Sequence, residues 1–176
     1  MKKLIVYFAL ALALPTGQLS AQSTFQVFLS GSGENPPNGS PAIGFGTVVL
    51  NAAQTQITVD ENWSGLTAPA TASHIHGPGG VGTNAAVLFP FTGVPAATSG
   101  SIPEQVFAIT AQQVTWLFQG YLYMNIHTST FPGGEIRGQL LLVPEPSSLA
   151  LLGMGGVPFA LAYWRRRRNR RDLREH

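Results

Sequence analysis

The chain has 176 residues, no cysteine, and 10 basic against eight acidic side chains, with an isoelectric point of about 9.3. Nine of the ten basic residues lie outside residues 22–143, and this middle region carries one arginine against five acids, a formal charge of −4. A nucleic-acid-binding face needs clustered lysine and arginine, so the charge of this region excludes that function. The lack of cysteine excludes disulfide bonds, a thiolate nucleophile and cysteine-ligated zinc or iron–sulfur sites.

Residues 1–21 have the pattern of a secretory signal helix. Lys2 and Lys3 precede the apolar run 4–14, and a small-residue cleavage site for signal peptidase follows at Leu19-Ser20-Ala21. The alternative is a short membrane anchor. Eleven apolar residues are too few to cross about 30 Å of hydrocarbon, so cleavage is the favoured interpretation.

Between residues 22 and 143, short β-patterned runs alternate with segments rich in Gly, Pro, Asn and Ser. The runs predict strands at residues 24–30, 44–50, 56–63, 72–76, 85–91, 105–109, 122–128 and 135–143. The segment Gly31–Gly39 is predicted to be a surface loop that is neither strand nor helix. This series of short strands indicates an all-β, antiparallel sandwich or barrel.

One short helix is predicted after residue 109. Thr110 and Gln113 have the spacing of a capping box, and Gly120 lies where such a helix would end. The apolar stripe of this segment consists of Val114, Leu117 and Phe118. With only two to three turns, the helix must be held by packing.

Polar side chains alternate along three of the predicted strands. Because successive side chains of a strand point to opposite faces, residues two apart share a face. The residues in this alternation are His74 and His76 on one strand, Tyr123, Asn125 and His127 on a second, and Glu135 and Arg137 on a third. We expect the three strands to form one polar cluster.

A metal site is one interpretation of this cluster. A His-x-His pair on one strand and a histidine from a neighbouring strand suit zinc or copper, since both ions bind neutral imidazole. The predicted ligands are His74, His76 and His127, with Glu135 as a further ligand or as a hydrogen-bond partner of a ligand.

A structural hydrogen-bond network is the other interpretation. Arg137 is the only basic residue of the middle region, so we expect it to pair with Glu135 or another acid. Asn125 and the histidines would then hydrogen-bond to loop backbone. Both interpretations stay open, because metal-binding histidines also need hydrogen-bond partners.

No pattern of a hydrolytic enzyme accompanies the cluster. The sequence has no Gly-x-Ser-x-Gly elbow, and its acids are scattered rather than paired, so we predict no catalytic activity. Trp63, Tyr121 and Tyr123 are either core positions or a contact surface for an extracellular polysaccharide or protein.

The composition changes after Val143. Pro144, Glu145 and Pro146 precede an uncharged segment of 18 residues that ends at Trp164, about the minimum length of a transmembrane helix. The arginines that follow directly are Arg165, Arg166, Arg167 and Arg168, with two more at 170 and 171. Arginines stay on the cytoplasmic side, so the β domain is expected outside the inner membrane.

This ordered tail resembles the PEP-CTERM sorting signal of Gram-negative bacteria, here over residues 144–171. The resemblance implies recognition by an exosortase, a membrane-embedded cysteine peptidase, and removal of the helix near Pro144-Glu145-Pro146. It also implies a precursor anchored in the inner membrane with its domain in the periplasm, followed by delivery to the cell surface or extracellular matrix. An ordinary C-terminal anchor is the alternative, and it leaves the Pro-Glu-Pro motif unexplained.

Seven further motifs follow one another between residues 24 and 142. They are Leu29-Ser30-Gly31, Glu34-Asn35-Pro36-Pro37, Gly44-Phe45-Gly46, Ser64-Gly65-Leu66, Ala72-Ser73-His74-Ile75-His76-Gly77-Pro78, Tyr123-Met124-Asn125-Ile126-His127-Thr128 and Pro132-Gly133-Gly134-Glu135-Ile136-Arg137-Gly138. In this order they resemble the CHRD domain, which occurs in the animal developmental protein chordin and in bacterial secreted proteins. The resemblance covers nearly all of residues 22–143 and implies that this region is one β domain.

His74-Ile75-His76 is also similar to the His-x-His of copper/zinc superoxide dismutases, which implies a Greek-key arrangement of that kind. Three histidines are too few for a dinuclear site, and His176 lies beyond the tail helix, so dismutase activity is not predicted. The sequence therefore predicts an exported cell-surface or matrix protein with a binding or structural role. The alternative is a mononuclear zinc- or copper-binding protein.

Overall fold

The computed structural model describes residues 22–144. Within them lie the strands β1 (Ser23–Ser30), β2 (Ile43–Leu50), β3 (Gln56–Ser64), β4 (Ala70–His76), β5 (Val87–Pro90), β6 (Gly100–Ala108), β7 (Tyr123–Thr128), β8 (Ile136–Gln139) and β9 (Leu141–Leu142). The helix α1 spans Ala111–Phe118, and a 3-10 helix spans Gly31–Gly33. The predicted signal peptide and the tail from Glu145 onward lie outside the described residues.

The strands form one antiparallel sheet in the order β5-β4-β7-β8-β1-β2-β3-β6, with β9 paired to β1. β1, β2 and β3 follow as a meander, and β4 then crosses to the far part of the sheet, where it pairs with β7. The two edge strands, β5 and β6, contact each other through side chains: the rings of Phe89 on β5 and Phe107 on β6 pack with centroids 5.5 Å apart. The sheet is therefore a nearly closed barrel. The prediction of an all-β antiparallel fold with one short helix is confirmed, whereas the likeness to superoxide dismutase stays a prediction.

Alternate side chains of the strands fill the barrel. Phe25, Val27 and Leu29 of β1 are at most 1% exposed, as are Ile57 and Val59 of β3. Burying each such side chain contributes about 1.5–3 kcal/mol relative to leaving it in water. These residues point inward on both strands, as the alternation of apolar residues in the sequence predicts.

The helix begins as predicted. Thr110 Oγ1 accepts a hydrogen bond from Gln113 N at 3.3 Å, and Gln113 Oε1 accepts one from Thr110 N at 2.9 Å, which completes the capping box. Leu117 is buried, and Gly120 follows the helix with a φ of +71°, where other residues would be strained. No helix among residues 22–144 is long and apolar enough to span a membrane.

The loop predicted at residues 31–39 needs correction. It contains the 3-10 helix Gly31–Gly33, because the carbonyl of Gly31 accepts hydrogen bonds from the backbone N–H groups of Glu34 and Asn38. Glu34, expected at the surface, is only 7% exposed. The segment thus packs against β8 through its 3-10 helix, and it brings an acid beside the polar cluster.

Candidate metal centre

Strands β4 and β7 are neighbours and present the predicted polar residues on one face. In their register the pairs are His74 with Asn125, His76 with Tyr123, and Ala72 with His127. Directly paired residues of an antiparallel ladder point to the same side of the sheet. The side facing the core carries the fully buried Ile75, Met124 and Ile126. The polar side chains therefore occupy the outer face of this part of the barrel.

Three imidazoles converge on that face. His74, His76 and His127 each offer a ring nitrogen, and these three atoms lie within 4.8 Å of one another. The ring of His74 lies 5.4 Å from that of His76 and 5.0 Å from that of His127, measured between centroids. No other group of three histidine or acidic side chains comes this close within the described part of the chain.

Hydrogen bonds fix which ring nitrogen is free in two of the histidines. His76 Nδ1 lies 2.9 Å from the carbonyl oxygen of Ala85, and His127 Nδ1 lies 2.9 Å from that of Pro132. A carbonyl oxygen only accepts, so both Nδ1 atoms carry hydrogen and Nε2 is the atom left to bind another group. His76 Nε2 and His74 Nδ1 are buried and have no hydrogen-bond partner. A ring held in this way by a carbonyl is the usual arrangement of a metal-binding histidine.

Burial favours the neutral form of two rings. Desolvation, with the neighbouring His127 and His76, lowers the pKa of His74 to about 4. Desolvation also lowers the pKa of His76, by more than its hydrogen bond to Ala85 raises it. Neutral imidazole is the form that binds a metal ion. These two rings are already neutral at pH 7, so they can bind an ion without releasing a proton.

Asn125 lies between His127 and the buried Glu34. Asn125 Oδ1 lies 3.1 Å from His127 Nε2, and the carboxyl group of Glu34 lies near the Asn125 amide beside Gly134, with its Oε1 buried and without a hydrogen-bond partner. Desolvation raises the pKa of Glu34, although Arg137 and Asn125 oppose it. Because His127 Nδ1 donates to Pro132, its Nε2 carries a lone pair that faces the Asn125 amide. The sequence did not indicate Glu34 as a member of this cluster, since a loop has no periodicity.

Arg137 of β8 fixes the loop that covers His76. Its guanidinium donates to Asn84 Oδ1 at 3.0 Å, to Gly80 O at 3.1 Å and to Thr83 O at 2.9 Å. Its Cζ also lies 3.4 Å from the ring centroid of Tyr123, which in turn stacks on His76 at 4.9 Å. Of the predicted partners of Arg137, Glu135 or another acid, Glu135 is wrong, because loop oxygens and an aromatic ring satisfy the guanidinium. Burial lowers the pKa of Arg137, and the acid whose charge opposes this shift is Glu34.

Glu135 is engaged away from the histidines. It is fully buried, and its carboxylate accepts hydrogen bonds from Ser40 Oγ at 2.7 Å, Thr67 N at 2.7 Å, Thr67 Oγ1 at 3.0 Å and Thr128 Oγ1 at 2.7 Å. Desolvation raises the pKa of Glu135, but these bonds outweigh it and hold the pKa below its ordinary value. The predicted role of Glu135 as a metal ligand is therefore corrected: its carboxylate ties β7 to two distant loops.

A further acid, Glu61, lies inside the barrel. It is 1% exposed, and its Oε2 is 2.6 Å from Ser73 Oγ on β4. Desolvation raises the pKa of Glu61 to about 8, against the hydrogen bond from Ser73. Glu61 was not predicted from the sequence, although it points inward like Ile57 and Val59 on the same strand.

The aromatic side chains divide between core and surface. Trp63 is 4% exposed and packs in the core, and Tyr123 is 3% exposed because Arg137 and the loop that it holds cover it on the outer face, so neither is a contact surface. Tyr121 is 45% exposed and can contact other molecules. The aromatic contact surface considered from the sequence therefore loses two of its three members.

Comparison with protein families gives two matches. Residues 142–168 match the PEP-CTERM protein-sorting motif, which marks an exported protein that an exosortase sorts to the cell envelope. Comparison with curated proteins and with solved structures gave no match. Residues 25–140, about two thirds of the chain, match the CHRD domain, as the motifs around His74 and Arg137 predicted. The chain belongs to the CHRD domain family.

Proposed function

We propose that this exported domain binds one zinc or copper ion through His74, His76 and His127. The observation that carries the proposal is the convergence of three ring nitrogens within 4.8 Å. Two ring nitrogens of the cluster, on His74 and His76, are also buried without a partner. A buried polar atom without a partner costs about 1–3 kcal/mol, and a bound ion would remove that cost.

The ligand chemistry favours zinc and copper over magnesium and calcium. Neutral imidazole suits zinc and copper, whereas magnesium and calcium take oxygen ligands. A tetrahedral zinc ion with Zn–N bonds of about 2.0–2.1 Å spaces its ligand atoms roughly 3.3 Å apart. The histidine nitrogens lie within 4.8 Å of one another, so modest rotations of the rings suffice to reach that spacing.

We assign this site a binding role and no reaction. Three protein ligands leave a fourth coordination position for water or for a ligand. The hydrogen bonds of Glu135 support this restriction, because Ser40, Thr67 and Thr128 hold its carboxylate away from the imidazoles.

We further propose the route by which the domain reaches the envelope. Signal peptidase removes residues 1–21, and the segment 147–164 anchors the precursor in the inner membrane with the domain in the periplasm. The sorting motif at residues 142–168 and the arginines 165–168 support this order of events. Exosortase cleavage near Pro144-Glu145-Pro146 then releases the domain to the cell surface or matrix.

Titration calorimetry tests the metal site. The full chain in detergent micelles, freed of metal by a chelator and dialysis, is titrated with zinc(II) and with copper(II), and we expect one ion bound per chain. His74→Ala combined with His76→Ala removes two of three ligands, so the affinity should fall at least about 100-fold.

The fourth histidine of the sequence supplies the matched control. His176 lies outside the described residues, and His176→Ala should bind metal like the parent protein. The absence of heat above buffer in the parent, or equal affinity in the double variant, would show that the three imidazoles hold no ion.

A further inference from the structure

Glu61 bridges the inside of the barrel. It belongs to β3, but its Oε2 lies 2.6 Å from Ser73 Oγ on β4, and these strands are far apart in the sheet order. Ser73 Oγ lies 2.9 Å from the main-chain oxygen of Asn125 on β7. A polar link therefore runs from β3 across the core to the two strands that carry the three histidines.

The hydrogen atoms of this link can be counted. A serine hydroxyl has one hydrogen, yet Ser73 Oγ has two oxygen neighbours that both accept when Glu61 is ionised. If Glu61 is a neutral acid, it donates to Ser73 Oγ, and Ser73 donates to the carbonyl of Asn125, so both contacts are satisfied. Glu61 Oε1 is buried without a partner, which again disfavours a negative charge.

Among residues 22–144, no charge inside the barrel compensates Glu61. Asp60 of β3 and Glu104 of β6 are exposed, and β2 carries no titratable residue. The titratable residues of the two strands that receive the link lie on their outer face: His74 and His76 on β4, Tyr123 and His127 on β7. Burial accordingly raises the pKa of Glu61, with Ser73 as the one opposing contact.

We propose that the neutral Glu61–Ser73–Asn125 link holds β4 and β7 at the spacing that the metal site needs, and that ionisation of Glu61 opens the site and releases the ion. This regulation rests on the proposed metal site. Ser73 directly precedes His74, and Asn125 lies two residues before His127, so loss of the link acts on both ligand-bearing strands. The affinity for metal would then fall at alkaline pH.

Glu61→Gln provides the test, because the glutamine amide donates to Ser73 as a neutral acid does and cannot ionise. The full chain in detergent micelles is studied without metal by thermal unfolding between pH 5 and pH 9, and with chelator-buffered zinc at pH 6 and pH 8.5. Because the histidines titrate alike in both proteins, the melting temperature of the parent should fall relative to that of the variant as pH rises from 5 to about 8, and the difference should level off above that pH. The zinc affinities should agree at pH 6 and differ by about fourfold in favour of the variant at pH 8.5, where about three quarters of Glu61 is ionised.

The two measurements separate the outcomes. Melting temperatures that change in parallel with pH in the two proteins would overturn the neutral link, whatever the metal does. A parent that loses stability relative to the variant, with equal zinc affinities at pH 8.5, would overturn the regulation alone. Failure of both proteins to bind zinc at pH 6 would overturn the metal site and its regulation together. If Glu61→Gln does not fold, Ser73→Ala takes its place, and it should weaken zinc binding already at pH 6.

Discussion

Replacing Glu135 by glutamine tests whether its carboxylate is a structural anchor. The substitution keeps the shape and one acceptor oxygen but removes the charge. The second oxygen becomes an amide group, which cannot accept the hydrogen bonds now made by the hydroxyls of Thr67 and Thr128. Those hydroxyls must reorient to find another acceptor. Ser40 and the N–H of Thr67 keep Oε1 as their acceptor, but this oxygen is no longer charged.

The expected loss follows from the number of bonds. Hydrogen bonds to a charged group contribute about 1.5–3 kcal/mol each, and neutral ones about 0.5–1.5 kcal/mol. The carboxylate accepts four, from Ser40, Thr67 and Thr128, so weakening all of them should cost roughly 3 kcal/mol after relaxation. This figure is a large share of the stability of a small domain.

Urea unfolding followed by circular dichroism measures this loss. The pKa of Glu135 is lowered in the fold, so its contribution is present above the ordinary value of 4.5 and is lost as pH falls through the folded value. The loss in free energy of unfolding that Glu135→Gln causes should therefore be largest at pH 7 and become smaller at acidic pH. Glu104→Gln, at an exposed acid of β6, is the control and should change stability by less than about 0.5 kcal/mol. Equal stability of the two variants at pH 7 would refute the anchor.

Three further outcomes are expected. Arg137→Ala should lower the free energy of unfolding by about 3 kcal/mol with or without metal, since three hydrogen bonds to the loop and the contact with Tyr123 are lost; a denaturation midpoint like that of the parent would contradict this role. Thr110→Ala should cost about 1 kcal/mol, because the capping box at α1 is broken, whereas Thr115→Ala, which keeps the cap, should cost less in the same assay. Alanines at Pro144-Glu145-Pro146 should leave uncleaved precursor in the membrane of an exosortase-bearing host; normal processing on an immunoblot would speak against the sorting motif.

Local patterns in the sequence identify most of the elements. The capping residues of α1 and the alternation of Phe25, Val27 and Leu29 are local signals, and the structure agrees with both. β6 begins at Gly100, five residues before the predicted start at residue 105. Pro103 and Glu104 obscured it, because an edge strand tolerates proline and charge that a central strand does not.

The candidate site could be predicted only in part. Alternation placed His74, His76 and His127 on one face, because a strand has a period of two. The same rule grouped Glu135 with Arg137, but Glu135 lies just before β8, and its partners come from distant loops. Partners 68 and 95 residues away are chosen by the tertiary fold, which no local pattern contains.

X-ray absorption at the zinc edge tests the metal site most directly. The exported protein, loaded with one equivalent of zinc, should show about three imidazole nitrogens at roughly 2.0 Å. One further oxygen or nitrogen neighbour should appear without imidazole scattering. The imidazole count should fall to about one in the His74→Ala, His76→Ala variant, if zinc stays bound at all. A parent spectrum made up of oxygen neighbours only, without imidazole scattering, would contradict the assignment of His74, His76 and His127 as ligands.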